Sequence, residues 1–156
     1  MAVMDNEDIV KELSALAHLD IDAAHAYDQA LKEIDVEEIR GELSKFRDDH
    51  ERHVDELSNL LRGLGQKAPE YARDFKGYII SGFTAIRSAT GNEGALKAMK
   101  SNEKMTNRRY REAAVLDLPP TIGDVVVQNY DDERRHLEYV VKALAEKMWK
   151  AKAGVP

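Results

Sequence analysis

Asp131-Asp132-Glu133-Arg134-Arg135-His136, near the carboxyl end of the chain, repeats in outline the stretch Asp48-Asp49-His50-Glu51-Arg52-His53. Both read Asp-Asp-x-x-Arg-His, and the offset from His53 to His136 is 83 residues. The same offset carries Asp20 onto Glu103, Tyr27 onto Tyr110, Leu13 and Leu16 onto Leu96 and Met99, and Leu57 and Leu61 onto Val140 and Leu144. In each half the first carboxylate precedes the third position of the motif by 30 residues, from Asp20 to His50 and from Glu103 to Glu133. Agreement of apolar and polar positions at one offset is the mark of an internal repeat. Two helical hairpins of the same internal design account for it. A two-fold relation between them would bring the equivalent polar positions together at a common axis.

The flanking sequence supports helices throughout. Ile9, Leu13, Leu16, Ala23, Tyr27, Leu31 and Ile34 recur at three- and four-residue spacing, which predicts helix 1 over about 5–34. Asp35 with Glu38 reads as a capping box opening helix 2, expected over 36–64 and stopped by Gly63 and Gly65. A shorter amphipathic helix is expected over 69–90, after Pro69. Gly91 ends it, and Asn92 is a candidate cap for helix 3 over 93–116. Pro119 and Pro120 break the chain, and Thr121 with Asp124 offers a second capping box for helix 4, over 120–150. A helical residue rises about 1.5 Å, so a helical link between helices 2 and 3 can span the bundle and leave them parallel. The expected fold is all-α: a four-helix bundle with a long helical crossover between helices 2 and 3, forming one domain over 1–156. A five-helix bundle of another connectivity fits the same pattern.

Composition narrows the function. Of 156 residues, 33% are charged and 43% hydrophobic, with net charge −6, so no basic surface speaks for nucleic acid. No apolar run approaches membrane-spanning length, and the acidic amino end lacks an apolar signal core, which reads as cytoplasmic. Cysteine is absent, so thiolate sites are excluded.

Polar residues occupy places where the helices should be apolar. Asp20 lies between Leu16 and Tyr27, His50 and His53 between Phe46 and Leu57, Glu103 between Met99 and Tyr110, and Glu133 with His136 before Val140. Buried carboxylates without partners are very costly, and mutually repelling ones call for cations. Residues three apart share a helix face and can converge on one ion. Carboxylate oxygen with imidazole nitrogen suits iron, manganese or zinc. A single Glu-x-x-His on a helix is commonplace; the joint constellation is what points to metal. His18 and His25 fall opposite Asp20 and are expected on the surface, and Trp149 is available to dock a second copy as a homodimer.

Asp132-Glu133-Arg134-Arg135-His136 resembles the Asp-Glu-x-Arg-His motif of carboxylate-bridged di-iron proteins in the ferritin superfamily. The acid-x6-Tyr pairs, Asp20 with Tyr27 and Glu103 with Tyr110, are similar to those of bacterioferritins and rubrerythrins. The overall shape resembles small bacterial ferritin-like proteins of unassigned role. The resemblance, from Leu13 to Leu144, implies Glu103, Glu133, His53 and His136 as direct ligands, with Asp20 and His50 completing the set. It implies Asp49 and Asp132 as acceptors orienting imidazoles from neighbouring helices, with Tyr27 and Tyr110 beside them. His50 stands where the family has a bridging Glu, and Asp20 replaces a longer Glu. Three carboxylates against two divalent ions leave a net charge of +1, which predicts a weaker second position or a single ion.

The resemblance implies a di-iron, mixed or mononuclear redox protein, with Fe as cofactor (Mn or Zn as alternatives). Dioxygen or peroxide would be its oxidant, in a ferroxidase, peroxidase or stress-response role. The rival class is a non-catalytic bundle with a structural metal or none, serving as an interaction module. His50 in place of a bridging carboxylate speaks for the rival, so whether the chain is an enzyme stays open.

Overall fold

The computed structural model describes residues 4–69 and 90–150, which form a four-helix bundle without strands. Helix α1 spans Asn6–Glu33, α2 Glu37–Gly63, α3 Gly91–Ala114 and α4 Pro120–Ala145. Short connections make α1 with α2, and α3 with α4, antiparallel hairpins. The hairpins meet through α1 against α3 and α2 against α4, which leaves α2 and α3 on a diagonal.

Chain direction follows from one end of the bundle. Asn92 Nδ2 donates to Asp35 Oδ1 at 2.8 Å, and the Asp35 amide donates back to Asn92 Oδ1 at 3.0 Å. The Gly91 amide reaches Glu33 Oε2 at 3.3 Å. The end of α1 thus touches the start of α3, so those two run antiparallel and α2 runs parallel to α3. A 27-residue helix is about 40 Å long. The connection between α2 and α3 therefore joins opposite ends of the bundle, as a crossover must. The helix expected over about 69–90 falls on residues 70–89, outside the described part.

The apolar stripes close on one another as the periodicity demands. Leu13, Leu16 and Tyr27 of α1, Ile39, Leu43 and Leu57 of α2, Leu96 and Met99 of α3, and Val126 and Val140 of α4 are all buried. Leu31, Leu64, Ala114, Leu137 and Leu144 are half-buried at the stripe edges. Helix α1 is buried on a wider arc than its stripe, since Ile21 and Ala24 are also fully buried. For the same reason His18 and His25 are half-buried, where the surface was expected. Trp149 is half-buried against the core of its own chain.

Helix ends depart most from expectation. Asp5 caps α1, accepting from the Asp8 amide at 2.8 Å. Helix α2 has Val36 at its cap without a side-chain bond, because Asp35 is engaged with Asn92. Asn92, expected as the cap of α3, lies in its first turn instead, with Thr90 at the cap. Pro119 precedes α4, so the Thr121–Asp124 capping box does not form, and the helix ends at Ala145, short of 150. At the end of α2, Gly65 takes φ 79°. Its amide and that of Gln66 bond back to Arg62 and Leu61 at 2.9 Å each, a Schellman closure. Among the described residues, no helix is long and apolar enough to cross a membrane.

Candidate metal centre

Each helix sends one or two carboxylate or imidazole side chains to the bundle axis. Asp20, His50, His53, Glu103, Glu133 and His136 are all at most 1% exposed. They make two overlapping groups able to hold a metal ion: Asp20, His50, His53 and Glu133, and His50, Glu103, Glu133 and His136. His50 and Glu133, equivalent under the 83-residue offset, belong to both.

In the first group, Asp20 Oδ1 lies 2.7 Å from His50 Nδ1 and 3.1 Å from His53 Nδ1. Glu133 Oε1 lies 3.4 and 3.5 Å from the same two nitrogens. In the second, Glu103 Oε1 is 3.5 Å from His50 Nε2 and 3.6 Å from His136 Nδ1, and Glu133 Oε2 is 3.5 Å from His136 Nδ1. Bonds of about 2.0–2.2 Å in a tetrahedron give donor-to-donor edges of roughly 3.3–3.6 Å. Most of these separations match. Three buried atoms in the cluster, His50 Nε2, His136 Nδ1 and Glu133 Oε1, have no hydrogen-bond partner. Orphaned donors converging at coordination distance, with nitrogen and oxygen chemistry, fit one or two first-row ions.

The surroundings orient this set. His53 Nε2 lies 2.9 Å from Asp132 Oδ2, and His136 Nε2 lies 2.8 Å from Asp49 Oδ2. Each carboxylate thereby takes the outer N–H of a histidine from the other hairpin and leaves Nδ1 facing the centre. Arg52 donates to Asp132, and Arg135 donates to Asp49 at 2.9 Å, closing the outer ring with the same two-fold symmetry. The tyrosines also cross between hairpins: Tyr27 donates to Glu103, and Tyr110 donates to Asp20. Phe46 stacks on His136 with centroids 4.3 Å apart.

The charge states follow from these contacts. Burial disfavours a protonated His50, but the Glu133 charge and the Asp20 bond outweigh it and carry its pKa up to about 9. Against burial, Asp20 and Asp132 raise His53, and Asp49 and Glu103 raise His136. Burial would lift Asp20 and Glu103, yet His53 and His136 hold them below the ordinary carboxylate range. Tyr27 and Tyr110 are pushed up by burial and by the Glu103 and Asp20 charges, so both hydroxyls stay protonated as donors. The expected repulsion among apo carboxylates is therefore muted. Each of Asp20, Glu103 and Glu133 faces an imidazole nitrogen within 3.5 Å.

Comparison with protein families places residues 8–115 in the one described as Domain of unknown function (DUF2383). The chain belongs to the DUF2383 family. Its architecture is ferritin-like, and the parallel α2 and α3 agree with that. The matched DUF2383 segment carries Asp20, His50, His53 and Glu103, while Glu133 and His136 lie beyond it on α4. Curated proteins and solved structures give no match.

Sequence reading missed three contributors. Thr106 Oγ1 lies 3.1 Å from both Glu103 Oε2 and Glu133 Oε2, tying two carboxylates of different helices. Asn107 Nδ2 spans the carbonyls of the same two residues at 2.8 Å each. Asn129 is fully buried, with Nδ2 3.5 Å from the Tyr110 hydroxyl. The spacing of Thr106 three residues after Glu103 was the available signal.

Proposed function

We propose that this protein is a cytoplasmic di-metal redox protein that binds two ferrous ions and oxidises them with dioxygen or peroxide. The observation that carries this reading is the pair of overlapping four-donor groups, sharing Glu133 and His50 in a fully buried interior. Two ferrous ions held there would supply two electrons, enough to convert one dioxygen and two protons to hydrogen peroxide, or one hydrogen peroxide and two protons to two waters. The chain's own part is positioning and insulation. Asp49 and Asp132 hold the His136 and His53 rings, Tyr27 and Tyr110 hold the Glu103 and Asp20 carboxylates, and the apolar stripes exclude bulk water.

A second reading has its own support. His50, His53 and His136, protonated among Asp20, Glu103 and Glu133, form an ionic network that needs no metal. On that reading the network serves specificity of packing, and the bundle is an interaction module. Metal content of the purified protein, followed by optical spectra after ferrous iron and air, separates the two. About two irons per chain and ferric absorbance growing faster than in buffer support the redox reading. Metal-free protein that leaves the rate of iron oxidation unchanged supports the second.

A further inference from the structure

We propose that His50 serves both metal positions at once as a bridging imidazolate, with Nδ1 toward the ion held by Asp20 and His53 and Nε2 toward the ion held by Glu103 and His136. This deepens the two-ion reading and rests on it.

The ring is oriented for the task. Its Nδ1 lies 2.7 Å from Asp20 Oδ1 and 3.4 Å from Glu133 Oε1, whereas its Nε2 lies 3.5 Å from Glu103 Oε1. The two nitrogens therefore address different donor groups. Nε2 is buried without a hydrogen-bond partner, so no N–H bond within the protein competes for it. Glu133, the residue equivalent to His50, spans in the same sense, with Oε1 toward His53 and Oε2 toward His136.

Charge argues the same way. Asp20, Glu103 and Glu133 leave two divalent ions with one uncompensated positive charge in an interior at most 1% exposed. An imidazolate supplies the fourth negative charge, and the centre becomes neutral. Each ring nitrogen loses its proton to solvent as its bond to an ion forms, so two ions displace two protons from His50. A bridging ring also sets the spacing. Two metal–nitrogen bonds of about 2.0–2.1 Å plus the width of the ring hold the ions about 6 Å apart. Pairs bridged by a single shared oxygen atom lie at about 3.5–4 Å, whereas a carboxylate with one oxygen toward each ion, as Glu133 is placed, can span the wider gap.

The full-length protein loaded with Zn²⁺ tests this without any turnover. Bound zinc is counted by mass spectrometry, and the ions are located by anomalous scattering from crystals of the loaded protein. The expected result is two zincs per chain, about 6 Å apart, on opposite edges of the His50 ring. Two zincs at 3.5–4 Å overturn the bridge and leave the two-ion reading standing; one zinc or none overturns both. A calorimetric Zn²⁺ titration of His50→Ala gives a second measure, in which both binding steps should weaken by tenfold or more. Loss confined to one step means that the ring serves a single ion. The spacing in the unaltered protein decides the matter if that variant does not fold.

Discussion

His136 on α4 and Asp49 on α2 are joined across the bundle, Nε2 to Oδ2, at 2.8 Å. The two-fold counterpart, His53 to Asp132, is 2.9 Å long. Each aspartate fixes the tautomer and rotation of a ring from the opposite hairpin, and each is in turn held by an arginine. An isosteric Asp49→Asn or Asp132→Asn change keeps the volume but loses the ionic acceptor. Metal affinity should fall roughly 10–100-fold with stoichiometry retained at saturation, as read by competition with a chromophoric chelator. Unaltered affinity in both variants would show that these aspartates do not orient ligands.

Glu133 belongs to both donor groups, whereas Asp20 and Glu103 belong to one each. Glu133→Gln should therefore weaken both binding steps, and Asp20→Asn or Glu103→Gln only one. Combining Glu133→Ala with His136→Ala should abolish tight binding. Zinc stoichiometry after gel filtration makes the comparison, and a double variant that still carries two ions would sink the assignment.

Stability of the metal-free protein should depend on pH in a definite direction. The folded pKa of His50, about 9, exceeds its ordinary 6.5. Its contribution is thus complete below pH 6.5 and lost as pH rises through 9. The lowered Asp20 and Glu103 contribute fully above the ordinary carboxylate range and lose that contribution as pH falls below it toward their lowered values. The apo protein should be most stable at about pH 5–7 and lose on the order of 3 kcal/mol by pH 9.5, measured by urea denaturation. A flat profile over that interval would show the imidazoles to be neutral when apo.

Metal should stabilise the bundle more at high pH than at low. At pH 6.5 an ion must displace protons that already neutralise the carboxylates, and at pH 8.5 fewer are present. With Zn²⁺ at about 100 Kd, linkage gives roughly 3 kcal/mol, or a rise in Tm of about 5–10 °C for a chain of this size. Scanning calorimetry with and without chelator at both pH values reads the difference, and a larger rise at pH 6.5 contradicts the proton competition.

The sequence by itself determined the four described helices, their inward faces and the pairing of halves. Periodicity of Leu13, Leu16 and Tyr27, or of Leu57 and Leu61, is a local consequence of 3.6 residues per turn. The 83-residue offset carries the two-fold symmetry because equivalent side chains face equivalent surroundings. Side chains whose partners lie on another element were beyond it. Asp35 reads as a cap for α2, but Asn92, 57 residues away, claims its carboxylate. His18 and His25 read as exposed because a helical wheel shows only one partner face, and α1 is covered on more than one. The same limit governs the centre. Sequence places His50 inside a bundle, but only the packing of four helices turns its Nδ1 toward Asp20 and its Nε2 toward Glu103, since ring orientation is set by contacts from α1 and α3 that no local pattern encodes.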